Sequence, residues 1–237
     1  MNSLIRLIFH VAFVTLMFAS AGCQNRLGDD NAVVYPVLEE PMHKSIFHND
    51  QLDAYEVRMQ PGESSFFHRH TRDQLAVIMR TSTSLNQMLG SPETEMTSQR
   101  GTIAYIPHSV TGGYTHRVKA AGDQEFWVLG IEFVKPAGGD AKSTFIMPEQ
   151  QSFEFPGGLV TRLTIAPNTR ETIEGSIIIS MSSGSLAALP NGEAHLFKEG
   201  SLKWVNSAPV TYANKGGNPV SLIVITLEDS ENTAEIN

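Results

Sequence analysis

Cysteine is scarce in this chain, and its scarcity limits how the fold can be stabilised. The 237 residues include one cysteine, Cys23, so no disulfide can form within one chain and stability must come from burial of an apolar core. Clustered lysine and arginine are also missing, and the formal net charge is -8. Because the phosphates of nucleic acids attract clustered cations, we expect no nucleic-acid partner.

Motifs for two common kinds of catalysis are absent as well. The sequence has no G-x-S-x-G element that would present a nucleophilic serine, and no glycine-rich loop of the type that binds phosphate. The sole cysteine lies near the N-terminus, outside the apolar strand-like segments. Any chemistry is therefore expected to depend on a bound metal.

Long hydrophobic runs are missing except near the N-terminus, where Leu7 to Phe18 are mostly apolar and follow one early arginine. This run is shorter than the roughly 20 apolar residues that a transmembrane helix requires. Small residues follow it. We therefore predict that residues 1–22 are an export signal.

Two processing routes remain open at the end of this signal. The letters SAGC, which end at Cys23, resemble a bacterial lipobox, in which the cysteine is lipidated and becomes the new N-terminus. The letters ASA just before Gly22 instead fit ordinary signal cleavage, which would give a soluble periplasmic or secreted protein. We favour the lipoprotein, anchored at the outer or cytoplasmic membrane and facing the periplasm, because the only cysteine stands at this position.

From residue 45 onwards the sequence is typical of strands and turns. Short runs such as DAYEVRM, LAVIM, FWVLGIEF and SLIVITL are rich in β-branched and aromatic residues and are separated by Pro, Gly, Asn and Ser. No window has a convincing helical period. The predicted fold class is all-β.

An internal repeat divides this region. YEVRMQPGESS matches TRLTIAPNTRE, LAVIMRTSTSL matches SIIISMSSGSL, and RGTIAYIPHSV matches EGSLKWVNSAP, in the same order along both copies. We predict two β modules of closed or sandwiched architecture, which hides strand edges. The predicted segments are an export signal (1–22), a tether and N-terminal arm (23–45), a first module with a metal site (46–137), a linker (138–149), a degenerate second module (150–230) and a C-terminal tail (231–237).

The two copies differ in their histidines. Residues 61–75 of the first copy include His68 and His70, whereas the matching segment of the second copy is shorter and has no histidine. The position that matches His116 is Val210 in the second copy. A site built from imidazoles is therefore expected in the first copy alone.

The histidine segment resembles the first motif of the cupin superfamily. That motif reads G-x5-H-x-H-x3-E, and its spacing is met by Gly62, His68, His70 and Gln74, with glutamine in place of glutamate. The resemblance implies that these side chains line the metal site of the first module.

The second cupin motif, G-x5-P-x-G-x2-H, resembles the stretch that starts at Gly101 and reaches Pro107. A loop longer than usual then leads to His116. The resemblance covers residues 46 to 230 and implies two tandem cupin-type double-stranded β-helix (jelly-roll) barrels.

The parity of the strand supports the same site. Residues i and i+2 of a strand face one side, so His68 and His70 can point into one cavity, and Gln74 has the same parity. Together with His116 from a distant strand, these imidazoles would suit Fe, Mn, Ni, Cu or Zn with open coordination positions. The predicted metal ligands are His68, His70, His116 and, as a weaker oxygen donor, Gln74.

Other polar residues carry weaker expectations. Tyr105 has the parity to lie beside the site, with a core tyrosine as the alternative, and Arg72 would reach an anionic ligand or remain a solvated turn residue. His108, which follows Pro107, is interpreted as a loop residue at the rim. The histidines interpreted as surface or connector residues are His43, His48 and His195.

Three functions remain open from the sequence. The first is a metal-dependent oxygenase or isomerase acting on a small organic molecule. The second is a protein that binds an organic acid or sugar in the same cavity without catalysis. The third is a structural lipoprotein with a vestigial pocket. A homodimer is possible in each case, and the fold cannot choose among them, because one fold supports many chemistries.

Overall fold

The computed structural model describes residues 32–135, 142–205 and 208–228. This part of the chain is almost entirely β, which confirms the predicted fold class. Its helices are a 3-10 turn at Val37–Glu39 and a four-residue helix α1 at His108–Thr111. The predicted export signal, the lipidation candidate Cys23 and the tail 231–237 lie outside the described residues.

Strands occur in two consecutive groups, which we call the first half and the second half. The strands of the first half are β1 (Val34–Pro36), β2 (His43–His48), β3 (Leu52–Met59), β4 (Phe67–His70), β5 (Gln74–Ile78), β6 (Ser82–Met88), β7 (Thr94–Ser98), β8 (Ile103–Ile106), β9 (Tyr114–Ala120), β10 (Phe126–Phe133) and β11 (Thr144–Ile146). The strands of the second half are β12 (Ser152–Phe155), β13 (Gly158–Ile165), β14 (Arg170–Ile173), β15 (Ile177–Ser180), β16 (Gly184–Leu189), β17 (Glu193–Phe197), β18 (Leu202–Trp204), β19 (Val210–Ala213) and β20 (Val220–Leu227).

Each half forms two sheets. In the first half, sheet A has the order β1-β4-β9-β6-β7 and sheet B has the order β11-β8-β5-β10-β3-β2. In the second half, sheet C has the order β12-β13-β20-β15-β18 and sheet D has the order β14-β19-β16-β17. Strands β13 to β20 thus pair in the same order as β3 to β10. The division into modules 46–137 and 150–230 stays a prediction.

The N-terminal arm contributes more to the first half than its polar sequence indicates. Strand β1 pairs in parallel with β4, and β2 pairs with β3, so residues before position 46 extend both sheets. Likewise, β11 lies within the predicted linker 138–149 and pairs with β8. Elements of the arm and the linker therefore belong to the sheets of the first half.

Apolar side chains pack in three layers. One cluster lies between sheets A and B, a second lies between sheets C and D, and the largest lies between sheets B and C. Strand β5 shows how alternation serves two layers: Leu75 and Val77 face the B–C layer, whereas Gln74 faces the interior of the first half. The polar side chains on the inner face of sheet B are therefore backed by the apolar layer between sheets B and C.

No helix in the described ranges is long and apolar enough to cross a membrane.

Gly130 of β10 is required by close packing inside the first half. It lies opposite Tyr55 on the adjacent strand β3 of sheet B, and a Cβ atom added at Gly130 would lie 2.2 Å from the ring of that tyrosine. The Tyr55 hydroxyl also accepts a hydrogen bond from Gln74 at 2.7 Å, which restrains the ring. A methyl group here would therefore force the buried ring and its polar partner to move.

We expect Gly130→Ala to lower the free energy of unfolding by about 1–3 kcal/mol or more, the usual cost of overpacking a core. Urea denaturation measures this change in the free energy of unfolding. Gly217→Ala is the matched control, because a Cβ at that position meets nothing within 4 Å. Equal unfolding midpoints for the two variants would contradict the packing role of Gly130.

Candidate metal centre

Three histidines of sheet A meet on its inner face. His68 and His70 alternate along β4, so both point inwards, and β9 places His116 directly opposite His68. One ligand nitrogen from each ring lies within 4.8 Å of the other two. Among the described residues, this is the only group of three metal-ligand side chains found so close together. The sheet therefore assembles the three predicted imidazole ligands.

Each ring is oriented through its Nδ1 atom. The Nδ1 of His68 donates to the carbonyl oxygen of Phe66 at 2.9 Å, and the Nδ1 of His116 donates to Asn86 Oδ1 at 2.9 Å. These bonds leave an Nε2 lone pair on both rings, directed towards the centre of the cluster. Metal-binding histidines in proteins are commonly held in this way.

His70 is held by a buried carboxyl group. Its Nδ1 lies 2.7 Å from Glu132 Oε1, and its Nε2 lies 3.1 Å from the Nε2 of His116. Burial raises the pKa of Glu132 to about 8, and burial followed by the repulsion of His43 lowers the pKa of His70 to about 3. Without a metal, the Glu132 hydroxyl therefore donates to Nδ1, and the His70 Nε2–H donates to His116.

The whole cluster resists protonation. Burial, with smaller repulsions from neighbouring rings, lowers the pKa of His68 to about 3 and holds that of His116 well below its usual value. Neutral imidazoles are the form that binds metals. The three imidazoles are thus uncharged at neutral pH, and their nitrogen lone pairs can bind a metal cation.

His43 lies inside the site, so its interpretation as a surface or connector residue is wrong. Its ring packs edge-on against His68 with centroids 4.4 Å apart, and its side chain is 4% exposed. Its Nδ1 contacts Glu40 Oε2 at 2.5 Å, and Glu40 also accepts from the backbone N–H of Phe66. The N-terminal arm therefore places the carboxylate–histidine pair of Glu40 and His43 on one side of the three-histidine cluster.

His108 also lies inside the site, and its interpretation as a rim residue is wrong. It is the first residue of α1, it is buried, and its ring stacks on that of His70 with centroids 5.0 Å apart. Its Nε2 lies 3.4 Å from Gln74 Oε1. Gln74 donates through its other amide atom to Tyr55, so it is engaged within the wall of the site beside the three-histidine cluster. Its role as a ligand stays a prediction.

The two weaker pocket candidates are engaged by other residues. Tyr105 is fully buried in the layer between sheets B and C, where its ring packs on Phe155 and its hydroxyl donates to Asp73. Tyr105 is therefore a core residue, and the prediction that it lies beside the site is wrong. Arg72 pairs with Asp53 at 2.5 Å and remains partly exposed.

The cluster opens to solvent on one side. His116, Asn86 and Tyr114 are partly exposed, whereas His68 and His70 are buried. The Tyr114 ring packs at a tilt against that of His116 with centroids 4.5 Å apart, and its hydroxyl accepts from Asn86 at 3.1 Å. A small molecule would therefore approach the three imidazoles past Tyr114.

The donor set suits a metal ion. Three imidazole nitrogens, each supported by a second hydrogen bond, favour Fe, Mn, Ni, Cu or Zn over Ca or Mg, which prefer oxygen ligands. Three protein ligands also leave coordination positions for a small molecule, as in catalytic rather than structural sites. The residues present therefore fit a divalent transition metal.

Comparison with known proteins gives matches in fold alone. No family model and no curated protein matches the chain. Among solved structures, AerE from Microcystis aeruginosa is 12% identical over 80% of this chain and 99% of its own, with a TM-score of 0.56. YhaK from Escherichia coli is 10% identical over 74% of this chain and 85% of its own, with a TM-score of 0.54.

A third match is a salicylate 1,2-dioxygenase mutant from Pseudoaminobacter salicylatoxidans in complex with gentisate, 11% identical over 78% of this chain and 73% of its own, with a TM-score of 0.52. These three matches are all below 25% identity and show a shared fold, which agrees with the fold that the resemblance to cupins implies. Fold and site together define an all-β protein with a three-histidine cluster that suits a metal ion.

Proposed function

We propose that the first half binds one divalent transition metal through the Nε2 atoms of His68, His70 and His116, and that the loaded protein is an enzyme acting on a small organic molecule. One observation carries the proposal: every ligand ring is fixed through Nδ1 by a partner of its own, so the three Nε2 atoms converge. A structural histidine cluster has no need for this shared orientation.

The bound metal would supply Lewis-acid chemistry or, if it is iron, manganese or copper, oxygen chemistry. The surrounding residues then have separate tasks. Glu132 holds His70 in place and takes up or releases the proton that the ring exchanges, while Asn86 fixes His116. Tyr114 borders the open side and orients the incoming molecule by contact with its ring.

We propose a small aromatic or aliphatic acid as the substrate, handled by an oxygenase or an isomerase. The fold match with a dioxygenase that carries gentisate supports this class of ligand. The partly exposed Tyr114 ring offers a flat apolar surface next to the ligand nitrogens. Both features favour a planar molecule of modest size.

Metal analysis followed by turnover tests this proposal. We expect purified protein to contain close to one equivalent of a transition metal, and the loaded protein to consume gentisate, salicylate or another small acid or phenol, detected by oxygen uptake and absorbance. Metal-free protein that still binds such an acid would instead support the non-catalytic binding function. Loaded protein that turns over none of a broad panel would contradict the enzymatic part.

Removing the carboxyl group behind His70 should weaken the metal site without deleting a ligand. We expect Glu132→Gln to lower metal affinity about 10–100-fold, the usual effect of losing an outer partner of a ligand. Glutamine keeps the shape but cannot become an anion that accepts from Nδ1–H. Competition with a chromogenic chelator measures the change, and Glu154→Gln, at an exposed position of the second half, is the control. Equal affinities would exclude this role of Glu132.

A further inference from the structure

The second half places a lysine in its interior at a position where the first half has alanine. Lys203 of β18 pairs with Ile178, just as Ala104 of β8 pairs with Ala76. Because Ile178 belongs to the apolar cluster between sheets C and D, Lys203 shares that inward face. The lysine side chain thus lies beside apolar core residues while it remains partly exposed.

The Lys203 amine meets a histidine that faces the same interior. His195 of β17 pairs with the buried Leu186, so its ring points inwards, and its Nδ1 contacts the Nζ of Lys203. Its Nε2 lies 3.7 Å from Glu193 Oε1, and its side chain is 20% exposed. The interpretation of His195 as a surface or connector residue is therefore wrong, since its ring lies between the Glu193 carboxylate and the Lys203 amine.

The surroundings favour the uncharged amine. Burial lowers the pKa of Lys203, and the carboxylate of Glu193 opposes this shift only in part. The Lys203 amine donates to His195 Nδ1, and the opposite ring nitrogen of His195 faces Glu193. Tyr212 closes the other side, with its ring 6.0 Å from the Lys203 Nζ. The arrangement places a nucleophilic amine in contact with a base.

We propose that Lys203 is a nucleophilic amine that forms an imine with small aldehydes or ketones that reach its partly exposed side chain. This site is separate from the histidine cluster of the first half and does not depend on a metal.

The reaction balances with groups already present. The Lys203 nitrogen attacks the carbonyl carbon, forming a C–N bond, and His195 Nδ1 passes one of the two amine protons to the carbonyl oxygen, which becomes a hydroxyl group. His195 then passes the second amine proton to this hydroxyl, the C–O bond breaks, and water leaves as the C=N bond forms. No oxidant or reductant is needed.

Reductive trapping on the full-length protein tests this proposal. Purified protein is incubated with propanal and cyanoborohydride at pH 7, and peptide mass spectrometry measures alkylation at each lysine over time. We expect Lys203 to react at least about fivefold faster than the exposed lysines Lys119 and Lys198, because a lowered amine pKa raises the neutral, nucleophilic fraction. A ratio below fivefold would overturn the proposal.

Two variants test the roles of Lys203 and His195 separately. Lys203→Arg keeps the positive charge but should lose the label, with the other lysines unchanged. His195→Leu removes the proton acceptor, and its Lys203 labelling should fall to the rate of Lys198; labelling as fast as in the wild type would overturn the role of His195. Circular dichroism of both variants, recorded in parallel, shows that the comparison is made on folded protein.

Discussion

His116→Ala should lower the affinity for a divalent transition metal more than about 100-fold, beyond the 10–100-fold that loss of an outer partner costs. The variant removes one of three converging nitrogens and leaves His68 and His70 as two ligands on one strand. Two imidazoles cannot hold the ion with the geometry that three provide. Metal content after dialysis and titration with a competing chelator give the result.

The fold should survive this change. His116 is partly exposed, and the alanine leaves the backbone pairing of β9 intact. His48→Ala is the matched control, since the His48 side chain is 73% exposed and lies outside the cluster. Retention of stoichiometric metal by His116→Ala, together with an unchanged thermal transition, would refute the three-histidine site and with it the proposed enzymatic function.

The positions of the three candidate ligands could be expected from the sequence because the signals are local. Alternation along β4 fixes the common face of His68 and His70, and motif spacing points to His116 on another strand. Strand periodicity in the same way predicts the all-β class. Neither inference needs knowledge of how the two sheets of a half face each other.

His43 could not be placed because its position depends on an irregularity in β2. Pairing between β2 and β3 shifts register between Ser45 and Phe47. This bulge puts His43 in the interior, against His68, and Phe47 on the opposite face, against Trp204, although the two residues have the same parity. Sequence parity wrongly assigns His43 and Phe47 to one face of β2, and only the structure shows that they face opposite sides.

Glu132 did carry a signal that was overlooked. It is the only charged residue in the apolar run FWVLGIEF, and an acid on a strand of this kind must find a buried partner or stay unionised. Its parity is opposite to that of the core residues Leu129 and Ile131, so it faces the interior of the first half. A single carboxylate in a core strand is therefore a useful pointer to the partner of a histidine.

A chain that ends at residue 140 should fail to fold as a stable monomer. The layer between sheets B and C joins side chains of both halves, among them Leu129 and Ile131 of β10 and Ile179 of β15. Losing the second half would expose this face of sheet B, and full exposure costs about 1.5–3 kcal/mol for each large apolar side chain. Several such losses equal the roughly 5–15 kcal/mol that stabilises a domain.

The truncated chain should therefore aggregate, bind a hydrophobic dye or associate through sheet B, as judged by light scattering and dye fluorescence. Two adjacent isoleucines of β15 supply the finer test in the full chain, since Ile179 faces the B–C layer and Ile178 faces the C–D layer. Each alanine substitution should cost about 2–5 kcal/mol. Because the first half depends on the second, both substitutions should shift metal release to lower urea during unfolding. A truncated chain that stays monomeric, folded and metal-bound would show that the halves are independent.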